Sequence, residues 1–118
     1  MTETATPMTV ALTGAANVDH LEDWGPLAEA TGPEMRTAGI TIWQEGDDEA
    51  GIWECTPGPS RWLLETNEFI HVLKGSMTVT IDGGGPLELK AGDAALFPKG
   101  WSGTWEIHDT LRKAYVIF

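Results

Sequence analysis

From residue 38 onward the chain is a series of short apolar segments separated by turn residues. Residues 38–44 alternate around the β-branched Ile40, Thr41 and Ile42, a charged hairpin tip follows at residues 45–49, and residues 51–55 read as the return strand. Residues 62–64, 69–73, 76–81, 87–89, 94–97, 103–107 and 112–118 continue the series. Its punctuation falls at Pro57-Gly58-Pro59, Lys74-Gly75 and Gly83-Gly84-Gly85-Pro86. Many short strands at regular spacing predict an all-β sandwich or barrel. Within residues 76–81, Met77, Val79 and Ile81 share one face and Ser76, Thr78 and Thr80 the other, which predicts one buried and one wet side. Residues 69–73 are apolar on both faces: Ile70 and Val72 on one, Phe69 and Leu73 on the other. Such a strand needs a second cover, from the N-terminal segment or from a second subunit.

The first 37 residues read differently. Residues 1–10 are small and polar, have no period and are expected to fray. Asn17 or Asp19 is placed to cap a short helical turn over residues 21–30, which Gly25 and Pro26 limit and Gly32-Pro33 ends. The expected organisation is an N-terminal arm with a short helix over residues 1–37 and a single β domain over 38–118. At 118 residues the chain holds one core. It has no apolar run long enough to cross a membrane and no basic-then-apolar leader, so a cytoplasmic location is expected. The lone Cys55 excludes an internal disulfide. A formal net charge of −11 argues against nucleic acid and anionic membrane as partners. Six tryptophans are many for this length, and large flat rings can fill a small barrel or line a pocket.

Two segments carry a family resemblance. Residues 92–103, Gly-Asp-Ala-Ala-Leu-Phe-Pro-Lys-Gly-Trp-Ser-Gly, follow the second cupin motif, G-x5-P-x-G-x2-H, with Gly103 in the histidine position. Glu68, six residues and Gly75 follow the end of the first motif. Residues 51–58, 103–106 and 112–115 sharpen the likeness. Over residues 39–118 the chain resembles the ureidoglycine-aminohydrolase-type cupins, which include ethanolamine-utilisation relatives. The resemblance implies a double-stranded β-helix, a rolled jelly-roll barrel with an internal pocket, and a homodimer as in many relatives. In metal-binding cupins two histidines, a glutamate and a third histidine meet inside the barrel. Here the paired histidine positions fall on Arg61 and Leu63, or on Trp62 and Leu64, and the third on Gly103. Only Glu68 remains, and one carboxylate is not a metal site. His20, His71 and His108 are scattered, and His71 should face away from Glu68 on the same strand. No cofactor is therefore expected, and aminohydrolase activity does not follow.

The candidate site is built from what remains. The resemblance points Glu68 into the barrel, where a carboxylate among apolar neighbours can act as general acid or base, or form an ion pair with Arg61 or Lys113. Lys113 and Tyr115 share a face on the last segment, and an inward Lys113 offers a cation to a substrate. Arg61, standing where a metal histidine would be, could clamp an anion or simply pair on a loop. Trp53 and Cys55 share a face as ring platform and pocket wall, while Trp62, Trp101 and Trp105 are placed near the barrel mouth. A buried cysteine is ordinarily inert. The expected ligand is a small organic molecule, anionic or aromatic. The expected function is metal-independent binding, with acid/base chemistry of the isomerase, cyclase, dehydratase or lyase type. A non-catalytic binding or sensing module is the alternative, and a metalloenzyme with non-standard ligands the second.

Overall fold

A computed structural model describes residues 7–118. The fraying expected of residues 1–10 falls, for residues 1–6, outside the described residues. Eight strands follow in order: β1 (Glu22–Pro26), β2 (Arg36–Glu45), β3 (Asp48–Cys55), β4 (Gly58–Leu63), β5 (Glu68–Ile81), β6 (Pro86–Lys90), β7 (Ala94–Phe97) and β8 (Ser102–Ile117). All pair antiparallel in one sheet ordered β1-β2-β3-β8-β5-β6, with β4 added on β8 and β7 on β5.

The architecture follows from two strands longer than the turn signals suggest. Residues 69–73 and 76–81 join into one 14-residue strand, β5, and residues 103–107 and 112–118 into one 16-residue strand, β8. Lys74-Gly75 is an irregularity within β5, where the register to β8 shifts. Gly75 adopts φ +82°, and a Cβ there would lie 2.3 Å from the Thr110 carbonyl oxygen, so the crossing has room only for glycine. On one side of this shift β5 pairs with β7 and β8 with β3; on the other β5 pairs with β6 and β8 with β4. A bulge bends a strand and increases its twist. The two halves thereby roll into the jelly-roll barrel that the resemblance implies.

Parity fills most of the inside as expected: Met77 and Val79 are buried, as are Ile70 and Val72, and they pack with Phe97, Trp105, Ile107 and Leu111, whereas Ile81, expected on the same buried face, is 46% exposed at the end of β5. Among the described residues the N-terminal segment reaches Arg112, whose Nη1 donates to the Ala15 carbonyl (3.0 Å) and whose Nε donates to Glu54 (2.8 Å). Phe69 stays 43% exposed, in a cross-strand row with exposed Leu96 and Val116.

The helical turn expected over residues 21–30 is not formed; residues 22–26 are strand β1. Gly25 and Pro26 make a poor helix, and pairing with β2 satisfies the same backbone groups. Asp23 fixes the geometry, accepting from the Gly25 amide (2.8 Å) and from Arg36 Nη2 (3.2 Å). The Trp24 ring lies over Gly39, where any Cβ would meet it at 2.4 Å. No helix occurs among the described residues, and none therefore is long and apolar enough to cross a membrane.

Candidate functional site

Three ladder rows set the site. Trp53, Lys113 and Val72 stand side by side on β3, β8 and β5; Gly51, Tyr115 and Ile70 form the next row, and Glu49, Ile117 and Glu68 the third. Period-two alternation turns all three rows to the same face. Glu68 and Lys113 lie two rows apart, so only their long, extended side chains can meet. Lys113 Nζ is 2.7 Å from Glu68 Oε2, and the two side chains are 4% and 9% exposed. The ammonium also lies over the Trp53 ring at 4.5 Å from its centroid and over Trp105 at 4.6 Å. In the third row Glu49 accepts a hydrogen bond from the Tyr115 hydroxyl. Burial, and then that carboxylate, hold Tyr115 well above the usual phenol range, so it stays a donor.

These groups wall a cavity of about 180 Å³, completed by Trp24 from β1, Trp62 from β4 and Ile117. A cavity of ~150 Å³ holds one benzene, so the space suits a molecule the size of a single ring. Two of the charged lining groups are carboxylates, Glu49 and Glu68, and one is an ammonium, Lys113.

The sequence candidates separate accordingly. Glu68, Lys113, Tyr115, Trp53 and Trp62 line the cavity. Arg61 does not. Ser60 is buried and Trp62 half-buried on the inner face of β4, so Arg61 between them points outward. Its guanidinium grips Asp82 with two contacts of 2.5 and 2.6 Å and reaches Ser102 at 3.1 Å. Trp105 is fully buried beneath the ion pair rather than at a mouth, stacked on Trp62 at 4.5 Å between centroids and tilted against Phe97 at 5.0 Å. Trp101 meets Phe97 edge-on and lines a separate apolar cavity of about 140 Å³ with Val79 and Leu87. Cys55 is buried away from the cavity, and burial pushes its thiol up to about 11 against the pull of Lys113. Three lining groups are not among the sequence candidates: Glu49, which reads as a hairpin tip although it shares the parity of Trp53; Trp24, which falls in the expected helical turn; and Ile117, which shares the parity of Lys113 and Tyr115.

Known proteins share this fold. A family model described as a EutQ-like cupin domain matches residues 43–115. The protein belongs to the EutQ-like cupin family. Among solved structures, this cupin is similar to a DUF861-family protein of unknown function from Pseudomonas syringae pv. tomato, with a TM-score of 0.78 at 17% identity. That match covers 86% of this chain and 45% of the other, so the cupin spans less than half of that relative. The EutQ protein of Clostridium difficile gives 0.64 at 20% identity over 77% of this chain and 76% of its own. Both show the fold. A DUF861-family protein from Thermotoga maritima gives 0.55 at 34% identity, over 57% of this chain and 76% of the other. No curated protein matches the chain.

The cupin fold implies an internal metal, and these residues do not fit one. Among the described residues no three His, Cys, Asp or Glu side chains gather as ligands. Glu68, the one residue kept from the ligand set of the family motif, is bound to an ammonium instead. At Gly103 a Cβ would sit 2.2 Å from the Thr80 carbonyl oxygen and 2.7 Å from the Trp101 ring, so a histidine has no room there.

Proposed function

We propose that this cupin binds a small organic molecule in the tryptophan-walled cavity without a metal, and that Glu68 moves a proton on it while Lys113 steadies the charge that develops. The observation that carries the reading is the buried Glu68–Lys113 contact at the cavity wall. Such a pair is costly to desolvate and adds little to stability over apolar packing, which supports a role in ligand chemistry. A catalytic acid or base needs to reach its proton within hydrogen-bond distance, and a ring-sized guest in so small a cavity lies against both groups. The chemistry that fits is proton transfer, as in isomerisation or elimination; the aminohydrolase activity of some cupins of this type finds no ligand set here. One observation favours a non-catalytic binding or sensing module: each member of the pair already has its partner, so binding alone needs no titration. The uncovered row Leu96–Phe69–Val116 supports a homodimer through that face.

Ring-sized hydroxy and carbonyl compounds, incubated with the protein in deuterated water and followed by NMR, separate these readings. Proton-transfer chemistry predicts deuterium at one carbon, lost in Glu68→Gln with the fold retained. Saturable binding without exchange leaves the sensing module. No binding at Trp24 and Trp53 overturns the cavity reading. Stoichiometric transition metal in untagged protein after supplementation overturns metal independence.

A further inference from the structure

The ligand class follows from how the cavity's charges are already committed. This step rests on the cavity being the binding site. The cavity's cation and its hydroxyl donor, Lys113 and Tyr115, are both engaged by carboxylates, Glu68 and Glu49. Arg61, the other cation expected there, faces outward onto Asp82. The lining therefore has one carboxylate in excess. Glu49 has no cationic partner among the described residues. The remaining wall is aromatic: Trp24, Trp53 and Trp62. Ring faces attract cations through their quadrupole, most strongly where water is excluded. One of these rings already holds a cation: the Lys113 ammonium rests on Trp53 at 4.5 Å, with the buried Trp105 at 4.6 Å.

We infer that the cavity takes a small organic cation, an alkylated ammonium, with Glu49 as its counter-charge and Trp24 and Trp53 as its aromatic walls. The volume of about 180 Å³ admits a quaternary ammonium head and little more. The overall charge of −11 favours the same class of guest at long range. The assignment replaces the anionic ligand for which Arg61 and Lys113 had argued.

Calorimetric titration of the full chain with tetramethylammonium, tert-butanol and pivalate offers a cation, a neutral molecule and an anion of similar shape. The cation is expected to bind about tenfold tighter than tert-butanol, with pivalate weakest. Glu49→Gln should lower cation affinity several-fold and leave tert-butanol unchanged. The exposed Glu106→Gln serves as a control for general charge and should change neither. Where Glu49→Gln fails to fold, Tyr115→Phe takes its place: it frees Glu49 from its hydroxyl donor and should raise cation affinity several-fold. A cation no tighter than tert-butanol, pivalate as the tightest probe, an equal loss in Glu106→Gln, or unchanged cation binding in the Glu49 or Tyr115 variant overturns the inference and leaves the cavity reading standing. Failure of all three probes to bind overturns both.

Discussion

The Arg61–Asp82 and Lys113–Glu68 pairs have nearly the same length, 2.5 and 2.7 Å, and opposite surroundings. The first keeps about half of each side chain in solvent; the second keeps less than a tenth of either. The motif positions favoured Arg61, since it stands where a cupin would place a metal ligand. The sheet turned it out to water, and the buried cation came from the far end of the chain. The geometry of a charge pair therefore says little about its role; the dielectric around it says more.

The sharpest way to break this contrast is to remove one charge from each pair. Lys113→Met leaves Glu68 buried without a partner and should cost roughly 3–5 kcal/mol in urea unfolding. Adding Glu68→Leu to it should recover most of that loss, because an apolar pair of similar volume packs as well. A loss of less than about 1 kcal/mol in the single variant would make the buried pair equivalent to a surface one.

The next effect tests how far burial reaches around the pair. Burial raises the Cys55 thiol to about 11 from an ordinary 9.0, while the charge of Lys113 lowers it. The folded thiol stays neutral where the unfolded one ionises. Its contribution to stability is therefore full below pH 9.0 and lost as pH rises through about 11. Urea midpoints of wild type should fall across that window relative to Cys55→Ala, and alkylation of the folded protein at neutral pH should be slow. Fast alkylation would place the thiol outside the buried region.

The smallest effect belongs to the surface pair. Arg61→Ala should scarcely change stability at neutral pH. The hydrogen bonds from Arg61 and then Ser102 hold Asp82 down to about 2 from an ordinary 3.8. That contribution is present above pH 3.8 and lost as pH falls through about 2. NMR titration should find Asp82 back toward its ordinary value in Arg61→Ala; an unmoved Asp82 would remove the pair from the comparison.

Alternation of side chains made much of this barrel readable. It placed Met77 and Val79 inside but also Ile81, which the strand end leaves exposed; it set His71 opposite Glu68 and put Lys113 on one face with Tyr115. The same rule applied to Ser60 and Trp62 would have turned Arg61 outward. What alternation does not carry is pairing between distant segments. Trp24 reaches the cavity because β1 pairs with β2 and its ring needs the bare backbone of Gly39. Glu49 reaches Tyr115 through a ladder between residues 66 positions apart. Local propensity also cut β5 and β8 in two: in β5 a bulge glycine and a turn glycine look alike until the partner strand is known, and in β8 the polar His108-Asp109-Thr110 interrupts the apolar pattern.

The pairing of β8 has a consequence for how the chain folds as it is made. The last of the eight strands to emerge is the one the sheet is built around, since it pairs with β3, β4 and β5. Until it is present, β3 lacks one partner and β4 its ladder partner, leaving open edges that can pair with another chain. Long-range pairings of this kind form slowly. A nascent chain of this cupin waits for residues 102–117 before it can close, and a break before that point would yield an aggregating fragment rather than a smaller barrel.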